Sequence, residues 1–451
     1  MKTKNPVSPW AYVPSLYFLE GLPYIIINTV SAVLYADLGY SNTQIAFWTG
    51  WLYLPWILKM FWSPLVDSRS TKRRWLLGAQ ITLAAVFLFL AALNAWNAFS
   101  HAQEVNNLNF LSLSLFGFLA GAFVSATQDI AMDGYYLLTL NPQEQSYFVG
   151  IRTIFYRLAM IFGSGILVAA AGALVKPGKE SVCLTVPWPY NWALLFLFLA
   201  VLFALGALYH QRVLPKPASD RPAQPPKENA WNASFKTYFT QQNIVYILLF
   251  ILLYRLGDAL LEKTVPLFLL RGAQEGAMGV SLQNYGLIKG TLGLGAVIAG
   301  NLAGGWLLGK YGFKKCIWPF AVILILPNFF YAYMAWAKPG LSVTAALITL
   351  EHFGNGLALM AFNVFIMYIS IGEYKTSHYA ISTGIMALGM MVPSMLSGWL
   401  QTHFGYETFF WAASLLSLVT LAVVPLTGKI KTLTDTEKHF RSRAIGLQDA
   451  D

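Results

Sequence analysis

Long apolar runs separated by short polar links dominate the chain. The runs lie near 13–36, 43–66, 74–97, 108–140, 147–174 and 191–213, and again near 243–270, 281–309, 315–337, 342–371, 376–401 and 405–427. A hydrocarbon core about 30 Å thick is crossed by roughly 20 apolar residues in a helix, and each run reaches that length. Between the two groups stands PKPASDRPAQPPKENA, rich in proline and charge, which reads as a flexible linker. The pattern predicts an all-α membrane protein with twelve transmembrane helices. Six spans are expected over 1–213, a linker over 214–241, six more spans over 242–428 and a tail over 429–451.

Composition agrees with this reading. Of the 451 residues, 57% are hydrophobic and 11% charged, against a charged share of about 25% in soluble domains. Fifteen Trp and 23 Tyr suit a chain with two membrane–water interfaces. The net charge of +10 would also fit a nucleic-acid binder. The basic residues, however, fall in the short links, where they set orientation in a bilayer, so no nucleic-acid partner is expected. Lys2, Lys4, Arg69, Lys72, Arg73, Arg74, the linker, Lys310, Lys314, Lys315, Lys375 and the tail lie on one side. Lys176, Lys179, Arg271 and Lys338 lie on the other. The bias predicts that both termini and the linker are cytoplasmic.

Charge inside the runs is the exception that needs a reason, because an ionisable side chain at membrane depth costs about 2.5–3.5 kcal/mol on insertion scales. The stretch 125–157 carries Gln128, Asp129, Asp133, Arg152, Tyr156 and Arg157. Asp129 and Asp133 are four apart and share a helical face, as do Arg152 and Tyr156. One reading makes these a substrate or proton pathway, with one acid paired to an arginine and the other, Asp129 by its depth, free to titrate. The other reading is a structural ion pair. Span seven repeats the theme with Arg255, Asp258, Glu262 and Lys263, the first three on one face. Here Asp258 is expected to pair with Arg255, leaving Glu262 to share proton coupling with Asp129. Glu20 is the matching acid of the first span. Lys289, Glu351 and Asn355 are further polar positions inside runs, and His352 suits a hydrogen-bonded core residue. Lys59 lies near a span end, where its ammonium can reach the interface. The glycines of span eight, Gly290 to Gly305, predict close helix packing.

The chain shows no nucleotide loop, no zinc spacing and no nucleophile elbow, so it is not expected to be an enzyme or to hold a cofactor or metal. Cys183 and Cys316 fall on opposite sides of the membrane, which predicts no disulfide.

Two links stand in equivalent places of the two halves: KMFWSPLVD at 59–67, closed by Lys72, Arg73 and Arg74, and GGWLLGKYGFKK at 304–315. They resemble the paired signature loops of the major facilitator superfamily. The first keeps the acid, Asp67, and the basic cluster, with Ser63 and Pro64 where glycine is usual. The second keeps the glycines without an acid. The resemblance implies two six-helix bundles that alternate access to a substrate held between them, with Asp67, Arg73 and Arg74 as a gating loop. GLP at 21–23, WLLGAQ at 75–80, SATQDIAMD at 125–133 and YRLAM at 156–160 are similar to AmpG-type permeases, a group that includes acetyl-CoA transporters. That resemblance implies a bacterial inner-membrane symporter, monomeric, that imports muropeptide fragments of the cell wall using the proton as coupling ion. An importer of a siderophore or another amphiphilic metabolite is the alternative on the same scaffold.

Overall fold

The computed structural model describes residues 7–100, 108–140, 142–175, 190–222, 230–370, 375–430 and 433, apart from a few side chains within helices. Lys2, Lys4, Lys176, Lys179, Cys183, the tail over 434–451 and the side chain of Asp67 lie outside the described residues.

Every regular element among the described residues is helical. Span 1 is Pro9–Asp37, span 2 covers 42–69, span 3 is Lys72–Ser100, span 4 is Leu108–Thr139, span 5 covers 142–175 and span 6 is Tyr190–Val213. Span 7 is Ile244–Leu270, span 8 is Leu282–Tyr311, span 9 is Phe313–Ala337 and span 10 is Leu341–Ile369. Spans 11 and 12 run on from Lys375 and are separated at Gly405, whose φ of +74° is a turn that glycine makes without strain. Among the described residues, ten stretches are long and apolar enough to cross a membrane. The last of them, His378–Lys429, holds spans 11 and 12. Span 2, interrupted by a tight turn at Trp51–Tyr53, completes the twelve.

The region expected as linker is partly structured. Ala230–Phe239 forms a short helix whose Tyr238 hydroxyl lies 2.9 Å from Ser382 Oγ, and whose Thr237 Oγ1 lies 3.0 Å from His378 Nε2.

The described helices form two compact units, and these do not follow the halves of the sequence strictly. The first comprises 1–41, 51–226 and 281–291; the second comprises 42–50, 227–280 and 292–451. The opening of span 2 is thus built into the second unit, and the opening of span 8 into the first.

In the first unit, Tyr12, Leu16, Tyr17, Met132, Tyr135 and Phe148 form a buried core among spans 1, 4 and 5. Glycines let backbones approach. A Cβ on Gly21 would meet the Tyr156 carbonyl at 2.7 Å, and one on Gly290 would meet the Ser164 carbonyl at 2.2 Å. Spans 1, 5 and 8 each contain a π-helical segment, at Ile26–Val30, Phe162–Leu167 and Gly286–Gly293. Such turns frequently accompany functional sites.

In the second unit, Phe250, Tyr254, Phe313, Phe362 and Phe365 stack in the core; the Tyr254 and Phe362 rings lie 5.6 Å apart and 2° from parallel. Span 8 continues here on span 10, where a Cβ on Gly300 would meet the Phe353 carbonyl at 2.1 Å. The segment Asn42–Gly50 is fixed by Asn42, whose amide donates to Gln401 Oε1 at 2.6 Å and to the Tyr406 hydroxyl at 2.8 Å.

Candidate functional site

The polar residues of the first unit gather into one cluster drawn from spans 1, 2, 4 and 5. Asp129 is ion-paired with Lys59 of span 2, which crosses to span 4 instead of reaching for the interface. Two expectations are corrected by this contact: Lys59 does not snorkel, and Asp129 is not the unpaired acid. The reason is that 59 and 129 face each other across two helices, where two half-buried opposite charges gain by pairing. Glu20, buried on span 1, has its carboxyl group against that of Asp129, and its Oε2 has no hydrogen-bond partner among the described residues. Gln128 donates its amide to the Leu19 carbonyl at 3.3 Å, which ties span 4 to span 1 beside Glu20.

One helical turn along span 4, Asp133 meets Arg152 at 3.2 Å. The guanidinium is also held by two rings. Its carbon lies 5.4 Å from the centre of Tyr17 and 4.8 Å from that of Tyr136, and its Nη1 donates to the Tyr17 hydroxyl at 3.1 Å. Tyr17 and Tyr136 stand edge to face, 6.0 Å apart at 86°. Sequence reasoning passed over both tyrosines. The available signal was spacing: Tyr17 precedes Glu20 by three and Tyr136 follows Asp133 by three, which places each on the polar face of its helix. Tyr156 is half-buried against Gly21, and Arg157 turns away from the acids to Met160 Sδ at 3.6 Å.

In the second unit span 7 breaks at Arg255, whose φ of −113° and ψ of 22° leave the helical region. The break frees the Tyr254 carbonyl, and Thr420 Oγ1 donates to it at 2.9 Å. Irregular backbone at membrane depth is tolerated where polar groups satisfy it. Asp258 then falls in the first turn of the new helix, where the exposed N–H groups favour an anion. Its Oδ2 lies 3.2 Å from Arg255 Nε, as the spacing predicted. Asn355 of span 10 closes a triangle, accepting from Arg255 Nη2 at 3.4 Å and donating to Asp258 Oδ2 at 3.3 Å. Glu351 accepts from the Tyr331 hydroxyl at 3.1 Å and contacts His352 Nδ1. Lys263 is buried and Glu262 half-buried on the same span as Asp258. Lys289 is half-buried in the π-helical turn of span 8 that belongs to the first unit.

Of the expected gating loop, the side chain of Asp67 lies outside the described residues and the two arginines make the following contacts. Arg73 donates from Nη2 to the Gln211 carbonyl at 2.6 Å and from Nε to the Leu214 carbonyl at 3.3 Å, closing the end of span 6. Arg74 is exposed, its backbone N–H bonded to Thr71 Oγ1 at 3.2 Å. No group of three or more His, Cys, Asp or Glu among the described residues could hold a metal ion.

The comparisons with known proteins fit this arrangement. The anhydromuropeptide permease of Escherichia coli K12 is 26% identical over 396 residues, 86% of this chain and 73% of that one. A putative transporter, AmpG 4, of Rickettsia felis is 25% identical over 423 residues, 92% of this chain and 95% of that one. Among solved structures, a variant of the nucleoside transporter NupG superposes with a TM-score of 0.68 over 92% of this chain and 98% of that one, at 15% identity. The profile of the Major Facilitator Superfamily matches residues 15–371. With that match extending over most of its length and twelve helices in place, the chain belongs to the major facilitator superfamily of multi-pass membrane transporters.

Proposed function

We propose that the protein is a proton-coupled importer of anhydromuropeptides, the sugar–peptide fragments of the bacterial cell wall, acting at the inner membrane with both termini in the cytoplasm. The similarity to the E. coli anhydromuropeptide permease over 86% of this chain carries the substrate assignment. The orientation follows from the basic links.

Coupling rests on the Glu20, Asp129 and Lys59 cluster. Asp129 and Lys59 neutralise each other, so the cluster is neutral when Glu20 holds a proton and carries one net negative charge when it does not. Two facing carboxyl groups resist being charged together. A proton on Glu20 relieves that repulsion and leaves the cluster able to pass through an apolar, closed state. Releasing it to the cytoplasm would then draw the transporter toward reloading from outside. In the first unit this moves the coupling role from Asp129 to Glu20, because Asp129 has a cation of its own; Glu262 keeps its share in the proposal.

Uptake of labelled anhydromuropeptide into proteoliposomes tests both parts. With an imposed inward proton gradient the wild type should concentrate the compound. Glu20→Gln should still exchange labelled for unlabelled compound yet fail to accumulate it. Absence of any anhydromuropeptide flux in the wild type would overturn the substrate. Accumulation by Glu20→Gln equal to wild type would overturn the coupling.

A further inference from the structure

Arg152 is a prearranged cation of the first unit, and its acidic partner is more exposed than it is. The guanidinium is clamped over Tyr17 and Tyr136, with only Nη1 engaged in hydrogen bonds among the described residues. Asp133, which also contacts the Tyr17 hydroxyl, has a side chain that is 57% exposed, while that of Arg152 is 30% exposed. An ion pair with one partner so exposed is readily exchanged for another anion. Arginine offers its other nitrogens as a planar fork suited to bidentate binding of a carboxylate. Two aromatic faces fix that fork in place, and among the described residues only Nη1 is taken up, by the Tyr17 hydroxyl and Asp133.

Resting on the proposed substrate class, we infer that Arg152 is a binding site for a carboxylate of the transported solute, with Tyr17 and Tyr136 orienting the guanidinium and Asp133 occupying it when the site is empty. The solute's carboxylate takes the open edge of the fork, and Asp133 turns to solvent. For a sugar–peptide the matching group is a carboxylate of the peptide stem. The site would thus select peptide-bearing fragments over bare sugars.

Binding of paired acids and carboxamides to the purified full-length protein in detergent, read by tryptophan fluorescence, tests this. The pairs are anhydromuropeptide, a free tripeptide and a hexuronic acid, each against the form with every carboxylate amidated. A charged hydrogen-bonded contact predicts that the wild type prefers the acid by about tenfold or more. In Arg152→Gln the acid should fall to the level of the amide, while amide binding stays at its wild-type value. A purely structural arginine would weaken acid and amide alike. Arg152→Lys should keep part of the preference, because charge remains and the fork is lost, and it serves the same comparison if the glutamine variant does not fold. Asp133→Asn should tighten acid binding several-fold by removing the competitor.

The outcomes separate the two proposals. If anhydromuropeptide binds and its acid-to-amide ratio is the same in wild type and Arg152→Gln, the Arg152 site is wrong and the substrate class stands. If anhydromuropeptide does not bind and another pair shows the predicted pattern, the substrate class is wrong and the site stands. If no acid in the panel binds more tightly than its amide, the site is overturned whatever the substrate.

Discussion

Asp220 closes the open end of a helix that begins 148 residues earlier: its carboxylate accepts the backbone N–H of Lys72 at 2.7 Å and, through the other oxygen, that of Arg73 at 3.1 Å. The first N–H groups of a helix have no partner within it, and a carboxylate there satisfies them and meets the positive end of the helix dipole. Tyr135 adds a second tie, donating to the Pro215 carbonyl at 2.7 Å. Residues 214–222 are therefore part of the first unit, bracing the ends of spans 3, 4 and 6.

This brace gives a first expectation. Asp220→Ala should destabilise the protein by about 1 kcal/mol, the usual cost of losing a helix cap, and lower the midpoint of thermal unfolding by about 2–4 °C. Asp220→Asn should lose less, because an amide oxygen still accepts. Uptake per folded molecule should remain near wild type. A drop in uptake without a drop in stability would favour the gating role that the resemblance implied for this corner.

The Lys59 and Asp129 pair gives a second. Removing one partner of a buried ion pair costs about 3–5 kcal/mol, whereas an exposed pair contributes about 1 kcal/mol or less. Here the side chains are 38% and 19% exposed, so an intermediate value is expected. Lys59→Met and Asp129→Asn should each lower stability more than the double variant does. Additive losses in a thermal-unfolding cycle would show that the contact contributes nothing.

Arg255 and Asp258 show what a sequence can carry. They sit three apart on one helix, so spacing alone gives their contact, and the structure places them at 3.2 Å. The spans were legible because each is a long, predominantly apolar run bounded by polar links. Lys59 and Asp129 are separated by 70 residues. Periodicity says which face of a helix is polar, not which other helix that face meets, so this pairing was out of reach. Asp220 was hidden differently, inside a stretch whose prolines and charges suggested only a linker. The placement of Asn42–Gly50 in the second unit has no local signal either, since a helix crossing between cores looks the same in sequence as one that stays in its own.

Orientation is a third expectation. In a chain with Cys183 and Cys316 replaced by serine, a cysteine placed at the exposed Ala218 should react with a membrane-impermeant maleimide only after the inner membrane is permeabilised. Reaction in cells with an intact inner membrane would reverse the topology and, with it, the proposed direction of transport.

The final expectation concerns the glycines where the opening of span 8 lies on span 5. A Cβ at Gly165 would stand 2.4 Å from Thr291 Oγ1 and 2.8 Å from the Gly290 carbonyl carbon, and one at Gly286 would stand 2.6 Å from the Ala169 backbone nitrogen. Backbone cannot move aside as the end of a side chain can, so even a methyl group must part the two helices. Overpacking of this kind costs about 1–3 kcal/mol. Gly165, Gly286 and Gly290 lie in π-helical turns of the two spans, a feature frequent at functional sites. Gly165→Ala and Gly286→Ala should therefore weaken the packed crossing and slow uptake while the protein still reaches the membrane. Gly78→Ala is the control, because a Cβ there meets nothing within 4 Å. It should leave uptake unchanged and, by favouring the helix, raise stability by about 0.5–1 kcal/mol. Equal uptake in all three variants would mean that the tight crossing is dispensable to transport.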